Sequence, residues 1–62
     1  MKAEYDVLEL VNLQQEVLGL NEIAISAKFD TELTEWVVEY KSGKYDNYST
    51  TDLETIEELL IK

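Results

Sequence analysis

The stretch Glu22-Ile23-Ala24-Ile25-Ser26-Ala27-Lys28-Phe29, then Asp30-Thr31-Glu32-Leu33, then Thr34-Glu35-Trp36-Val37-Val38-Glu39-Tyr40-Lys41 decides the fold. Residues 22–29 alternate, with Ile23, Ile25, Ala27 and Phe29 on one side and Glu22, Ala24, Ser26 and Lys28 on the other. Residues 34–41 repeat the pattern, with Trp36, Val38 and Tyr40 on one side and Glu35, Val37, Glu39 and Lys41 on the other. A period of two is the mark of a half-buried strand, and the β-branched and aromatic residues suit it. Asp30-Thr31-Glu32-Leu33 is the natural hairpin connection. Placing Phe29 opposite Thr34 sets Ala27 against Trp36, Ile25 against Val38 and Ile23 against Tyr40. The outer face then pairs Lys28 with Glu35 and Glu22 with Lys41. A one-residue slip would invert one of the two faces, so the sequence predicts this register.

Working outward, Ser42-Gly43 reads as a second tight turn, because glycine supplies positive φ. A short third strand over 44–48 follows. Tyr48 breaks step with Tyr45, so a bulge or an early strand end is expected there. Thr51-Asp52-Leu53-Glu54 reads as a capping box that opens a helix running to about Leu60. Leu53, Ile56 and Leu60, with Leu59 beside them, would face the sheet, and Glu54, Glu57 and Glu58 would face water.

Upstream, residues 3–18 read as a helix with Val7, Leu10, Val11, Val17 and Leu18 on one stripe. Glu4, Asp6 and Glu9 suit its N-terminal turns, and Gly19 its C-terminal cap. Leu20 could fold back onto the helix end. Gln14 falls near the middle of the apolar face, and Leu8 and Leu13 on its flanks. The order is α-β-β-β-α, which predicts one α+β domain over 1–62: a three-stranded antiparallel meander with both helices on one face.

Composition narrows the function. At 62 residues the domain buries about 60% of its unfolded surface and has little stability to spare. The chain has no cysteine and no histidine, which removes disulfides, nucleophilic triads and the usual zinc ligands. Two glycines, Gly19 and Gly43, cannot make a phosphate-cradling loop. The acids fall on solvent faces, without the desolvated pair that acid–base chemistry needs, and Asp30-Thr31-Glu32 is too open for calcium. The reading is therefore of a non-enzyme without cofactor or metal. A pocket lined by Trp36, Tyr40, Tyr45 and a carboxylate is the form an enzyme site would have to take. No apolar run is long enough to span a bilayer and no signal peptide is visible, so a cytoplasmic location is expected by default. Asn47-Tyr48-Ser49 matches the glycosylation sequon by chance.

Fourteen acidic residues against five lysines give a formal net charge of −9. Such a chain repels nucleic acid and anionic membranes, which are excluded as partners; a basic protein is the expected one. Tyr40-Lys41-Ser42-Gly43-Lys44-Tyr45 has the local look of a nucleic-acid-binding hairpin, but on a strongly acidic body. The acids put forward as partner-binding are Glu9, Glu16, Glu35, Glu39, Glu54, Glu57 and Glu58. Leu8, Leu13 and Gln14 are put forward for self-association. In size and charge, rather than in any motif, the chain resembles phage-encoded inhibitors of host nucleases and of restriction or CRISPR systems. These act as DNA mimics by occupying a basic groove. The resemblance implies an accessory protein that inhibits a basic, nucleic-acid-binding host protein. The alternative is a small homo-oligomer, a homodimer for instance, with a structural or regulatory role, its acids serving solubility alone.

Overall fold

A computed structural model describes residues 4–61. The order is α1 (Glu4–Leu18), β1 (Ala24–Asp30), β2 (Glu35–Tyr40), β3 (Tyr45–Ser49) and α2 (Thr50–Ile61). The sheet is an antiparallel meander in the order β1-β2-β3. α1 packs on β1 and on α2, and α2 also packs on β3. The fold is the expected compact α+β arrangement, with Cα extents of 31 × 30 × 15 Å. The 15 Å dimension leaves room for one helix layer on one sheet. The core joins Val7, Leu10 and Val11 of α1, Ala24, Ala27, Trp36, Val38 and Tyr40 of the sheet, and Leu53 and Ile56 of α2. Phe29 meets Trp36 edge to face at 5.5 Å, a favoured aromatic geometry.

The register differs from the expected one by two residues. Phe29 pairs with Trp36 and Ala27 with Val38, across a four-residue connection over 31–34. Asp30 drives this turn: its Oδ1 accepts from the N–H groups of Glu32 (2.9 Å) and Leu33 (3.1 Å). Thr34 closes the turn at φ +53°, which a β-branched residue adopts only under strain. Because the shift is even, Trp36, Val38 and Tyr40 stay buried as expected.

The strand loses its alternation at Ile25. Ser26 faces Glu39 and Ala24 faces Tyr40, which leaves Ile25 as the extra residue of a β-bulge. Ala24 and Ala27, three apart, are both buried, while Ile25 is 53% exposed and Ile23 is also outside. Ile25 and Val38 therefore do not share the buried face, contrary to the expected pairing. The meander survives because Ala24 takes the inner position. Glu22, expected against Lys41, instead accepts a 2.6 Å hydrogen bond from the Ser42 hydroxyl, and Lys28 lies opposite Val37 rather than Glu35.

The bulge expected at Tyr48 is absent, and β3 pairs regularly through Ser49. Tyr48 lies opposite Trp36 and packs on the core, Tyr45 is on the outer face, and Asp46 lies opposite Val38. Asp46 is nonetheless exposed, and its Oδ2 accepts at 2.8 Å from the Tyr40 hydroxyl, which lies 3.1 Å from the Tyr48 hydroxyl. Burial, then the contacts with Tyr48 and Asp46, pushes the Tyr40 phenol well above its usual range. The second hairpin closes as expected. Gly43, at φ +94°, donates to the Tyr40 carbonyl (2.9 Å), and the Tyr40 N–H donates to the Lys44 carbonyl (2.8 Å).

Both helix ends are capped. Gly19 at φ +72° donates to the Glu16 carbonyl and Leu20 donates to the Gln15 carbonyl, the two bonds of a Schellman end. At α2 the capping pair lies two residues earlier than expected. Ser49 Oγ accepts from the Asp52 N–H and Asp52 Oδ2 accepts from the Ser49 N–H, both at 3.1 Å. Three apolar expectations also change. Leu59 is 77% exposed, and Val17 and Leu18 lie outside as well. Gln15 rather than Gln14 enters the core, since it follows Val11 by four residues.

Candidate functional site

α1 carries two side-chain stripes. Val7, Leu10, Val11 and Gln15 go into the core. Tyr5, Leu8, Glu9, Asn12, Leu13 and Glu16, again three or four residues apart, form a neighbouring ridge. With Ala24 at the start of β1 this ridge lines an open groove of about 460 Å³. Leu8 packs partly on the core, and Tyr5 is 72% exposed.

Asn12 closes the floor of the groove. Its Oδ1 accepts from the Ala24 N–H at 2.8 Å, and its Nδ2 donates to the Ala24 carbonyl at 3.1 Å. One side-chain amide thus takes the donor–acceptor pair that a further strand would otherwise use. Ala24 suits the place, because a larger side chain at this buried position would push the helix away.

On its other side the ridge borders a groove of about 370 Å³ between the helices, where Glu9, Leu10 and Leu13 face Glu57 and Ile61. Glu57 and Ile61 also line a third groove, of about 410 Å³, with Glu54 and Glu58. Shared residues join the three grooves into one surface across the helical layer. Of the expected residues it gathers Glu9, Glu16, Glu54, Glu57 and Glu58 with Leu8 and Leu13.

The remaining expected residues lie elsewhere. Glu35 and Glu39 are on the outer face of the sheet. Glu35 accepts from Asn47 Nδ2 at 3.4 Å, and Glu39 flanks a shallow groove with Lys28 and Tyr45. Gln14 is half-buried and lines none of these grooves. The aromatic trio does not converge, since Trp36 and Tyr40 are core residues and Tyr45 faces water on the opposite side. Sequence reasoning missed Tyr5, Asn12 and Ile61. The 5–8–12 spacing beside Leu13 was the available signal for the first two.

Charge is segregated by layer. Eight of the fourteen carboxylates are on the helices: Glu4, Asp6, Glu9 and Glu16 on α1, and Asp52, Glu54, Glu57 and Glu58 on α2. Neither helix carries a lysine. Lys28 lies on β1, and Lys41 and Lys44 flank the second hairpin turn. Glu16 stands in the last turn of α1, at the negative end of the helix dipole, where an acid typically costs about 0.3–1 kcal/mol.

Among the described residues, no group of three or more acidic side chains is placed to hold a metal ion, and no helix is long and apolar enough to cross a membrane. The chain matches no family model, no curated protein and no solved structure.

Proposed function

We propose that this chain is a non-enzymatic protein-binding module whose helical layer docks on the basic surface of a nucleic-acid-binding protein, occupying the place of a phosphate backbone. The charge segregation carries this reading: eight carboxylates and no lysine on two adjacent helices, with the described lysines on the sheet and hairpin. Such a field speeds encounter with a cationic surface and makes association sensitive to salt.

The test is displacement of a short DNA duplex from a lysine-rich histone, followed across a salt series. Two variants with the same net charge are compared: Glu9→Gln with Glu54→Gln on the helices, and Glu35→Gln with Glu39→Gln on the sheet. The helical pair should weaken displacement and the sheet pair should leave it nearly unchanged. Equal effects of the two pairs, or displacement that stays flat as salt rises, would refute the reading.

Self-association through the same face is the weaker reading. A twofold contact between α1 ridges would set Glu9 and Glu16 of one copy against the same acids of the other. Sedimentation at micromolar concentration separates the two, and a monomer is expected.

A further inference from the structure

We infer that the groove between the α1 ridge and the start of β1 seats a three-turn cationic amphipathic helix of the partner protein. The inference rests on the reading above and adds the shape of what is bound. Tyr5, Leu8 and Leu13 supply apolar contact along the groove, and Glu9 and Glu16 supply charge beside it. From Tyr5 to Glu16 is eleven residues of helical rise, about 17 Å, the length of three turns.

Three observations choose the occupant. Tyr5, Leu8 and Leu13 give the groove an apolar stripe, Asn12 lies at its floor, and Glu9 and Glu16 line it with charge, so it fits a segment with apolar side chains on one stripe and lysine or arginine beside it. An added strand does not fit at the floor, because Asn12 already holds both backbone polar groups of Ala24. A helix of a second copy suits the groove less well, because neither described helix of this chain carries a cation to set against Glu9 or Glu16. A basic amphipathic helix is also the element that many nucleic-acid-binding proteins place in a DNA groove, which ties this occupant to the acidic layer around it.

The experiment uses the full chain and two synthetic helix-forming peptides of the same lysine–leucine composition. In one, leucines recur at three- and four-residue spacing; in the other they are scrambled. Affinity is measured by calorimetry, and the binding site is mapped by amide chemical shifts. The patterned peptide should bind roughly tenfold more tightly or better, as expected for burying at least one further apolar side chain. The shifts should concentrate on Tyr5, Leu13 and Ala24. Tyr5→Ser, at an exposed position, and Tyr5→Ser with Leu13→Gln should reduce that advantage stepwise while the amide spectrum stays folded. Salt should weaken both peptides alike.

Equal binding of the two peptides overturns the groove and leaves the acidic-face reading standing, since the histone displacement tests that separately. A patterned advantage that survives the double variant overturns the groove as well, as does a sedimenting dimer that protects Tyr5 and Leu13. Failure of both peptides together with failure of displacement overturns both readings.

Discussion

Replacing Asn12 with alanine should destabilise the domain far more than its place on a half-exposed helix ridge suggests. The substitution removes two hydrogen bonds, of 2.8 and 3.1 Å, and leaves the N–H and carbonyl of buried Ala24 without their partner. Each such bond is worth about 1 kcal/mol net, and an orphaned buried group costs about 1–3 kcal/mol unless water reaches it. Ala24 borders an open groove, so water should recover part of the loss, and the expected cost is about 2 kcal/mol. A domain of this length has about 3–9 kcal/mol in all, so the midpoint of thermal unfolding should drop by about 8–16 °C. Urea denaturation at constant m-value gives the magnitude, and hydrogen exchange at the Ala24 amide gives the location. A second variant, Asn12→Asp, sharpens the test. Its carboxylate keeps the acceptor toward the Ala24 N–H, loses the donor, and sets a negative charge against the Ala24 carbonyl. Protonation would restore the donor, so the folded-state pKa of the introduced carboxyl should lie above its unfolded value of about 3.9. The folded state then binds more protons in that window, and stability relative to the native chain should fall as pH rises from about 4 and recover below it. A loss under about 0.5 kcal/mol for Asn12→Ala, or a pH-independent difference for Asn12→Asp, would refute the latch between α1 and β1.

Other substitutions test other parts of the fold. Ile25→Thr should change stability by less than about 0.5 kcal/mol, while Val38→Ala should cost about 2 kcal/mol or more in the same urea titration; comparable losses would place Ile25 in the core and remove the bulge. Ser49→Ala should cost about 1 kcal/mol and Thr51→Ala close to nothing, and the reverse order would restore the later capping box. Thr34→Gly should stabilise by about 0.5–1 kcal/mol, the relief of a left-handed β-branched residue less the added freedom of glycine in the unfolded chain; a net loss would mean that the turn is unstrained. The melting temperature should rise on going from low to physiological salt as repulsion within the helical layer is screened, and a fall would show that its acids are better paired than their placement implies.

The sequence made the meander legible through β2, where Trp36, Val38 and Tyr40 alternate with Glu35, Val37 and Glu39 and nothing competes. β1 was ambiguous, because Ile23, Ala24 and Ile25 are apolar in succession and fit either phase. The phase is decided by a residue twelve positions away, since the Asn12 amide holds Ala24 and small size favours alanine beneath it. The capping error has a similar cause. Ser49/Asp52 and Thr51/Glu54 are overlapping signals, and β3 runs straight into the helix, so the earlier pair wins. Asp46 was expected within the third strand, but its contact with Tyr40 was not legible, because it depends on a phenol supplied from β2. The joining of the acids of both helices into one surface was legible. That Leu8 and Leu13 lie in the same surface was not, because it depends on how α1 rotates about its axis.

The Asn12 contact also has a bearing on behaviour at high concentration. A three-stranded sheet ends in two open borders, and open borders invite further copies to join in the plane of the sheet. By lending one side-chain amide to the beginning of β1, the first helix acts as a stub of a fourth strand that cannot be extended. Peeling that helix away would uncover Ala24 beside exposed Ile23 and Ile25, an apolar strip suited to sideways stacking. Keeping the helix seated therefore keeps the Ala24 backbone closed to an added strand.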